Sequence, residues 1–185
     1  RRIAAAGVDV VKLIDQDGMS DAELAAIVDE AHKHGLPVVA HAHRPEEIRR
    51  GLKAGVDCFE HTGLAASPEY PPDVIAALRE RTGNMASGPL FWTPTIEGLY
   101  NFSYTVKNHE FIDGTDWHVG LTPAIVDDIR QSLAHPERIG YFQQTPQRWP
   151  TLQRKFQQLR ESGVLLLIGT DSGIPMKFHS GSTWN

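Results

Sequence analysis

Four residues of types that bind metals or move protons each follow a short apolar stretch of this sequence. They are Lys12, His41, His61 and Asp171. Two imidazoles and a carboxylate suit a divalent transition metal such as zinc, with one coordination position left open for water. Lysine shifts its pKa readily on burial, and addition of carbon dioxide would turn it into a carbamate that is able to bridge two metal ions. Each residue taken alone is more often structural, but the four together predict a metal site.

The four residues stand at the ends of predicted β-strands. Short apolar runs alternate with amphipathic helical stretches, a pattern that is typical of βα units and a parallel sheet. The predicted strands are Val8 to Ile14, Val38 to His41, "VDCFEHTG" ending near His61, "LFWTPTI", and Val164 to Ile168. Because the C-terminal ends of parallel strands open on one face, we expect the four side chains to lie near one another.

Helix signals separate the strands. Ser20 and Glu23 form the pattern of a capping box, and Pro45 suits the first turn of the next helix. Two more helices are predicted at "PPDVIAALRERTG" and "RWPTLQRKFQQLRESG". Residues 99 to 147 are predicted to be an insertion, helical around Pro123 to Leu133, that shapes a pocket or an interface.

The length and the strand pattern limit the fold. The 185 residues, 41% of them hydrophobic and 22% charged, predict a single globular α/β domain over residues 1 to 185. Five strands with helical crossovers form either an open doubly wound sheet or part of a (β/α)8 barrel, which takes about 250 residues when complete. The apolar run Val164 to Ile168 predicts a strand that is buried on both faces.

Composition argues against several classes of partner. A net charge of −5 gives no electrostatic reason to expect nucleic acid or acidic lipid as a partner. No apolar run approaches the roughly 20 residues of a membrane-spanning helix. The lone Cys58 excludes an internal disulfide and fits a reducing compartment. Since no apolar signal segment is visible either, we expect a cytoplasmic protein.

Four motifs carry a resemblance to a known family. They are "VVKLI", "VVAHAH", "AGVDCFEHTG" and "IGTDSG". The sequence resembles the amidohydrolase superfamily, in particular its imidazolonepropionase-like and prolidase-like branch, and the third motif matches the strand-six pattern "AGxDxxEH". The resemblance implies a partial TIM-type (β/α)8 barrel, with parallel strands that correspond to strands four to eight of the family.

The resemblance also implies a role for each residue. Lys12 would be the carboxylated lysine that bridges two metal ions, and His41 and His61 would bind one of them. Asp171 would bind the other ion and act as the general base. The implied cofactors are two zinc ions, with manganese or cobalt also tolerated by this ligand set, and carbon dioxide as the carbamate on Lys12. His43 stands where many relatives place an aromatic residue that touches substrate, so it is an implied substrate contact; the alternative is a partly exposed loop residue. His179 follows Asp171 closely and is a second candidate for the pocket lining, with a structural role as the alternative.

The activity implied is hydrolysis of an amide in a small-molecule substrate by a metal-activated hydroxide. The substrate would be a dipeptide, an N-acyl amino acid or a cyclic amide. Arg44 stands where deaminase-type relatives place a glutamate, which favours hydrolysis over deamination. Two alternatives remain open: a lactonase or phosphotriesterase-like hydrolase on the same scaffold, and a truncated barrel that binds a ligand without turnover.

One family feature is missing from the sequence. The His-x-His pair of the family's first strand has no counterpart before Lys12. We therefore expect the chain to correspond to the C-terminal five-eighths of the barrel and to be inactive, or nearly so, on its own. Its first strand would have an unpaired edge, which favours a homo-oligomer formed through that edge.

Overall fold

The computed structural model describes residues 2–63, 67–96 and 116–171. Its strands are β1 (Val11–Leu13), β2 (Val38–His41), β3 (Cys58–Glu60), β4 (Phe91–Thr93) and β5 (Leu165–Leu166). Its helices are α1 (Arg2–Ala5), α2 (Asp21–Lys33), α3 (Pro45–Ala54), α4 (Pro72–Gly83), α5 (Pro123–Ala134) and α6 (Gly140–Glu161). Short 3-10 turns occupy Gln16–Gly18, Met85–Ser87 and Pro136–Arg138. Each predicted strand is present. β2 has its predicted bounds, and the other four strands are shorter than their apolar runs.

These residues fall into two compact units. The first comprises the described residues of Arg1–Pro94 and Gln153–Leu167, and the second comprises those of Thr95–Leu152 and Ile168–Asn185. In the second unit, the Thr122 hydroxyl caps α5 by accepting a hydrogen bond from the amide of Ile125. None of the helices that the structure describes combines the length and the apolar character needed to cross a membrane.

The first unit is built on a parallel sheet whose strand order follows the chain. The order is β1-β2-β3-β4-β5, and every pair of neighbours is parallel. The register aligns Lys12, Val39, Cys58, Phe91 and Leu165 across the sheet. A doubly wound sheet would reverse its order part-way, whereas these strands proceed in one direction. The α/β class with parallel strands and crossover helices is thus confirmed.

The two faces of this sheet differ in burial. One face carries the fully or nearly fully buried side chains of Leu13, Val38, Ala40, Phe59 and Trp92. These belong to one core cluster with residues of the crossover helices, among them Leu24, Val28, Ile48, Val74 and Leu78. The opposite face carries Lys12, His41 and Glu60, which remain partly exposed. The crossover helices therefore cover one face and leave the residues of chemical interest on the other.

The last strand is less buried than its sequence predicts. Leu165 is 50% exposed and Leu167 is 43% exposed, whereas Val164 is buried. Leu165 pairs with Phe91, which places it on the partly exposed face. The prediction of burial on both faces was wrong because an apolar run does not reveal whether both sides of its sheet are covered. Apolar side chains on both sides of a strand are typical of a barrel, whose interior they fill.

Helix boundaries follow the local signals at the starts of α2 and α3 but not at the start of α6. Ser20 and Glu23 form the predicted capping box, with the Glu23 amide 3.2 Å from the Ser20 hydroxyl and the Ser20 amide 2.9 Å from the Glu23 carboxylate. Pro45 opens α3 as predicted. Helix α6, however, begins at Gly140 and contains Pro146 and Pro150. Because proline usually ends or kinks a helix, the sequence pattern placed this start too late.

A close contact between α3 and the sheet gives a test of the packing. A Cβ atom on Gly51 would lie 2.6 Å from Cε1 of the buried Phe59 ring. We expect Gly51→Ala to lower the free energy of unfolding by about 1–2 kcal/mol, although alanine normally stabilises a helix, because overpacking outweighs helix propensity here. Urea denaturation followed by circular dichroism would measure the change.

Gly18 provides the matched control. A Cβ atom there would meet nothing within 4 Å. The Gly18→Ala variant should therefore be neutral or slightly stabilising. Equal destabilisation by the two substitutions would contradict the packing described for α3.

Candidate metal centre

Three imidazole rings meet at the C-terminal ends of β2 and β3. His41 is the last residue of β2, His43 follows it by two residues, and His61 directly follows β3. The ring centroids of His43 and His61 are 4.4 Å apart with nearly parallel planes. His41 meets both rings edge-on, at 4.7 Å from His43 and 4.4 Å from His61. The three residues offer one ring nitrogen each within 4.8 Å of one another.

The spacing of these nitrogens is compatible with a bound metal ion. Nε2 of His61 lies 3.1 Å from Nδ1 of His41, so one ring donates a hydrogen bond to the other. Two imidazole nitrogens on a tetrahedral zinc ion, each at about 2.0–2.1 Å, stand about 3.4 Å apart. His41 and His43 are partly exposed, whereas His61 is buried. A metal ion could therefore replace the hydrogen bond with only a small movement of the rings.

Buried polar contacts hold the end of β2. Gln16 is fully buried, and its side-chain amide donates a hydrogen bond to the carbonyl of His41 over 2.5 Å. Arg44 follows His43 and directly precedes α3. Its guanidinium contacts the carboxylates of Asp15, Asp17 and Glu47 at 2.8–2.9 Å. The hydrogen bond with Glu47 is the main cause that raises the pKa of Arg44. The loop after β1 and the start of α3 thus brace the segment that carries His41 and His43.

The residues of the motif "AGVDCFEHTG" have different structural roles. Gly55 ends α3 in the left-handed region at φ 88°. One carboxylate oxygen of Asp57 accepts hydrogen bonds from the Val38 amide, at 2.7 Å, and from His32, at 2.8 Å. Glu60 pairs across the sheet with His41, and His61 enters the histidine cluster. The motif therefore contributes to the β2–β3 pair and to the histidine cluster.

Lys12 forms an ion pair with Glu60 across β2. Both side chains are about one-third exposed, on the same face of the sheet as His41. In this arrangement the lysine amine is paired with the Glu60 carboxylate. Carboxylation of Lys12 remains a prediction, and it would require this ion pair to open.

Cys58 is a buried thiol on β3. Burial is the main cause that raises the pKa of its thiol, and a hydrogen bond with Thr93 opposes the rise. The thiolate is the form that binds metals, and burial favours the neutral thiol here.

Asp171 and His179 are the other predicted site residues. Asp171 belongs to the second unit and has a positive φ of 54°. Its role as a ligand and general base remains a prediction, and His179 lies outside the described residues. Sequence reasoning assigned His43 to substrate contact, whereas the structure places it in the cluster with His41 and His61. The spacing "HAH" at a strand end was the signal for this third candidate ligand.

Comparisons with known proteins were made by sequence and by structure. No family model matches the chain. An uncharacterized protein of Mycobacterium bovis is 28% identical over 155 residues, which are 83% of this chain and 31% of that protein. An uncharacterized protein of Mycobacterium tuberculosis strain H37Rv matches to the same extent.

Solved structures show the fold. A Xaa-Pro dipeptidase with bound methionine in its active site superposes with a TM-score of 0.57 at 21% identity, over 94% of this chain and 36% of that one. An amidohydrolase superposes with a TM-score of 0.52 at 21% identity, over 92% of this chain and 36% of that one. The chain shares the fold of the matched part of these structures. It spans about a third of the length of the relatives and structures that it matches.

The shared fold confirms the scaffold that the sequence motifs predict. The resemblance carried by "AGVDCFEHTG" and its companions predicted this scaffold, and the structural superpositions agree with a portion of it. In a barrel of this type, catalytic side chains stand at the C-terminal ends of the strands. The histidine cluster occupies that position on two neighbouring strands.

Proposed function

We propose that this chain forms part of a metal-dependent hydrolase that cleaves an amide bond, with His41, His43 and His61 as metal ligands. The observation that carries the proposal is the convergence of three imidazole nitrogens within 4.8 Å at the ends of β2 and β3. Neutral imidazole is the nitrogen ligand that zinc prefers, and three such ligands leave a coordination position open. A metal ion held there would supply Lewis acidity to a substrate carbonyl and lower the pKa of water.

The proposed substrate is a dipeptide, with a peptide bond that precedes proline as the first candidate. The support is the likeness in fold to a Xaa-Pro dipeptidase, together with the strand-end position of the cluster. An N-acyl amino acid or a cyclic amide would present the same scissile bond. Because the chain spans about a third of its relatives, we assign the complete activity to a longer protein whose other segments supply further ligands and the substrate pocket.

Zinc binding by the 185-residue chain is the first test. Isothermal titration should give about one zinc ion per chain, and His61→Ala and His43→Ala should each weaken binding by more than about 100-fold, since loss of even an outer-shell partner costs 10–100-fold. His34→Ala is the control, because His34 lies at the exposed C-terminal end of α2. Zinc binding that is absent, or that His34→Ala weakens as much as His61→Ala, would overturn the proposed centre.

Turnover by the longer protein is the second test. A panel of Xaa-Pro dipeptides, N-acyl amino acids, lactones and phosphotriesters should show hydrolysis of the amides, with loss of activity in a chelator and recovery on adding zinc. Faster hydrolysis of a lactone or a phosphotriester would identify the alternative enzyme on the same scaffold. Metal binding without turnover of any substrate would support a binding protein instead.

The Lys12–Glu60 ion pair favours a single metal ion in the chain as described. A second ion, bridged by a carboxylated Lys12, would need Glu60 to release the amine. We expect the zinc stoichiometry to rise towards two per chain only when bicarbonate is added. A stoichiometry of two without bicarbonate would show that the second ion uses other ligands.

A further inference from the structure

The backbone of His61 adopts a conformation that is unusual for histidine. Its φ angle is 77°, in the left-handed region that side chains with a Cβ atom seldom occupy. Such a conformation persists only when its surroundings determine it, and it is common at functional sites. His61 is also buried, and its ring stacks on that of His43. The position therefore needs specific restraints.

Two consecutive residues of β4 supply these restraints. The amide of His61 donates a hydrogen bond to the carbonyl of Thr93 over 2.8 Å. The carbonyl of His61 accepts a hydrogen bond from the indole Nε1 of Trp92 over 2.7 Å. Both backbone groups of His61 are thus held by the neighbouring strand, one through its backbone and one through a side chain.

Trp92 is well placed to act as a rigid donor. It is fully buried, and its indole packs against Phe59 at 5.0 Å and Tyr70 at 6.0 Å between ring centroids. The ring lies on the covered face of the sheet, whereas His61 directs its imidazole into the histidine cluster. The indole N–H therefore connects the packed core to the backbone of a candidate metal ligand.

We propose that Trp92 is a positioning residue for the histidine cluster, because its indole N–H holds His61 in the left-handed conformation that brings the His61 ring against His41 and His43. This inference rests on the proposed metal centre for its effect on binding. Its effect on the backbone rests only on the hydrogen bonds of His61 to β4. Outer-shell partners of this kind typically change metal affinity by 10–100-fold.

The test compares two core variants. Trp92→Phe removes the donor and keeps an aromatic ring, and Phe59→Leu disturbs the same core but leaves the donor in place. We expect Trp92→Phe to weaken zinc binding by at least about 10-fold. Phe59→Leu should retain the zinc affinity within about threefold, even if its unfolding midpoint falls as far as that of Trp92→Phe. Equal affinity in Trp92→Phe and the wild type, or equal losses in both variants, would overturn the inference.

A measurement without metal separates this inference from the proposed function. The three-bond coupling between the amide proton and Hα of His61 depends on φ, and we expect Trp92→Phe to change it while Phe59→Leu does not. An unchanged coupling in Trp92→Phe would refute the positioning role whether or not zinc binds. A changed coupling in a chain that binds no zinc would support the positioning role and reject the metal centre.

The wild-type chain offers a second measurement if Trp92→Phe does not fold. The indole N–H of Trp92 should exchange slowly with solvent, since it is buried and hydrogen-bonded to the His61 carbonyl. Zinc should shift its proton resonance as His61 engages the metal. Fast exchange of this proton, or zinc binding that leaves its resonance unmoved, would overturn the inference.

Discussion

Phe59→Ala is expected to lower the free energy of unfolding by about 3–5 kcal/mol, the usual cost of truncating a buried phenylalanine. Phe59 is fully buried on the covered face of the sheet, where its ring packs on Trp92 and closes over the position of Gly51 in α3. Its removal leaves a cavity between β3, β4 and α3 that rigid elements cannot fill. Since whole domains are stable by only about 5–15 kcal/mol, this single change would remove a large share.

Phe91 is the matched control for this prediction. It is the same residue type on the neighbouring strand, but it aligns with Cys58 and lies on the partly exposed face. Phe91→Ala should therefore cost less than half as much. Urea denaturation followed by far-ultraviolet circular dichroism measures both values. Equal losses would mean that the two faces of the sheet are buried alike, contrary to the structure.

Asp57→Ala is expected to cost about 2–3 kcal/mol, because it leaves a buried amide without its acceptor. The Asp57 carboxylate accepts the hydrogen bond of the Val38 amide at the start of β2, and Val38 is fully buried. The same carboxylate oxygen binds His32 near the end of α2. The loss would loosen the β2–β3 pair whose far ends carry His41 and His61.

Asp57→Asn separates the hydrogen bond from the charge. Asparagine keeps a carbonyl oxygen that can accept from the Val38 amide, so this variant should retain more than half of the stability that Asp57→Ala loses. The same denaturation experiment compares them. Equal destabilisation by alanine and asparagine would show that the negative charge, rather than the acceptor, stabilises this corner.

Much of the scaffold was predictable because its signals are local. The capping box at Ser20, the proline that opens α3 and the apolar run of β2 each act within a few residues, and each matches its predicted element. Likewise, the fold class followed from alternating periodicities and from one specific motif. These features depend on short-range backbone chemistry, which a sequence displays directly.

Other features depend on contacts that the sequence does not display. The ion pair between Lys12 and Glu60 forms across an intervening strand, so it requires the register of three strands. The position of His43 in the cluster depends on the packing of its ring against that of His61. The left-handed backbone of His61 depends on neighbours in β4. The exposure of Leu165 depends on what covers its face of the sheet. Each is a long-range property.

The agreement between strand order and chain order also affects how the sheet assembles. The pairings Val11 with Val38, Val39 with Cys58, and Cys58 with Phe91 join segments that lie close together in the chain. Phe91, in contrast, pairs with Leu165, which lies 74 residues later in the chain. Closing this longer loop costs about 1 kcal/mol more in chain entropy than the earlier ones. During synthesis, the first four strands are therefore able to pair as they emerge, and β5 joins last.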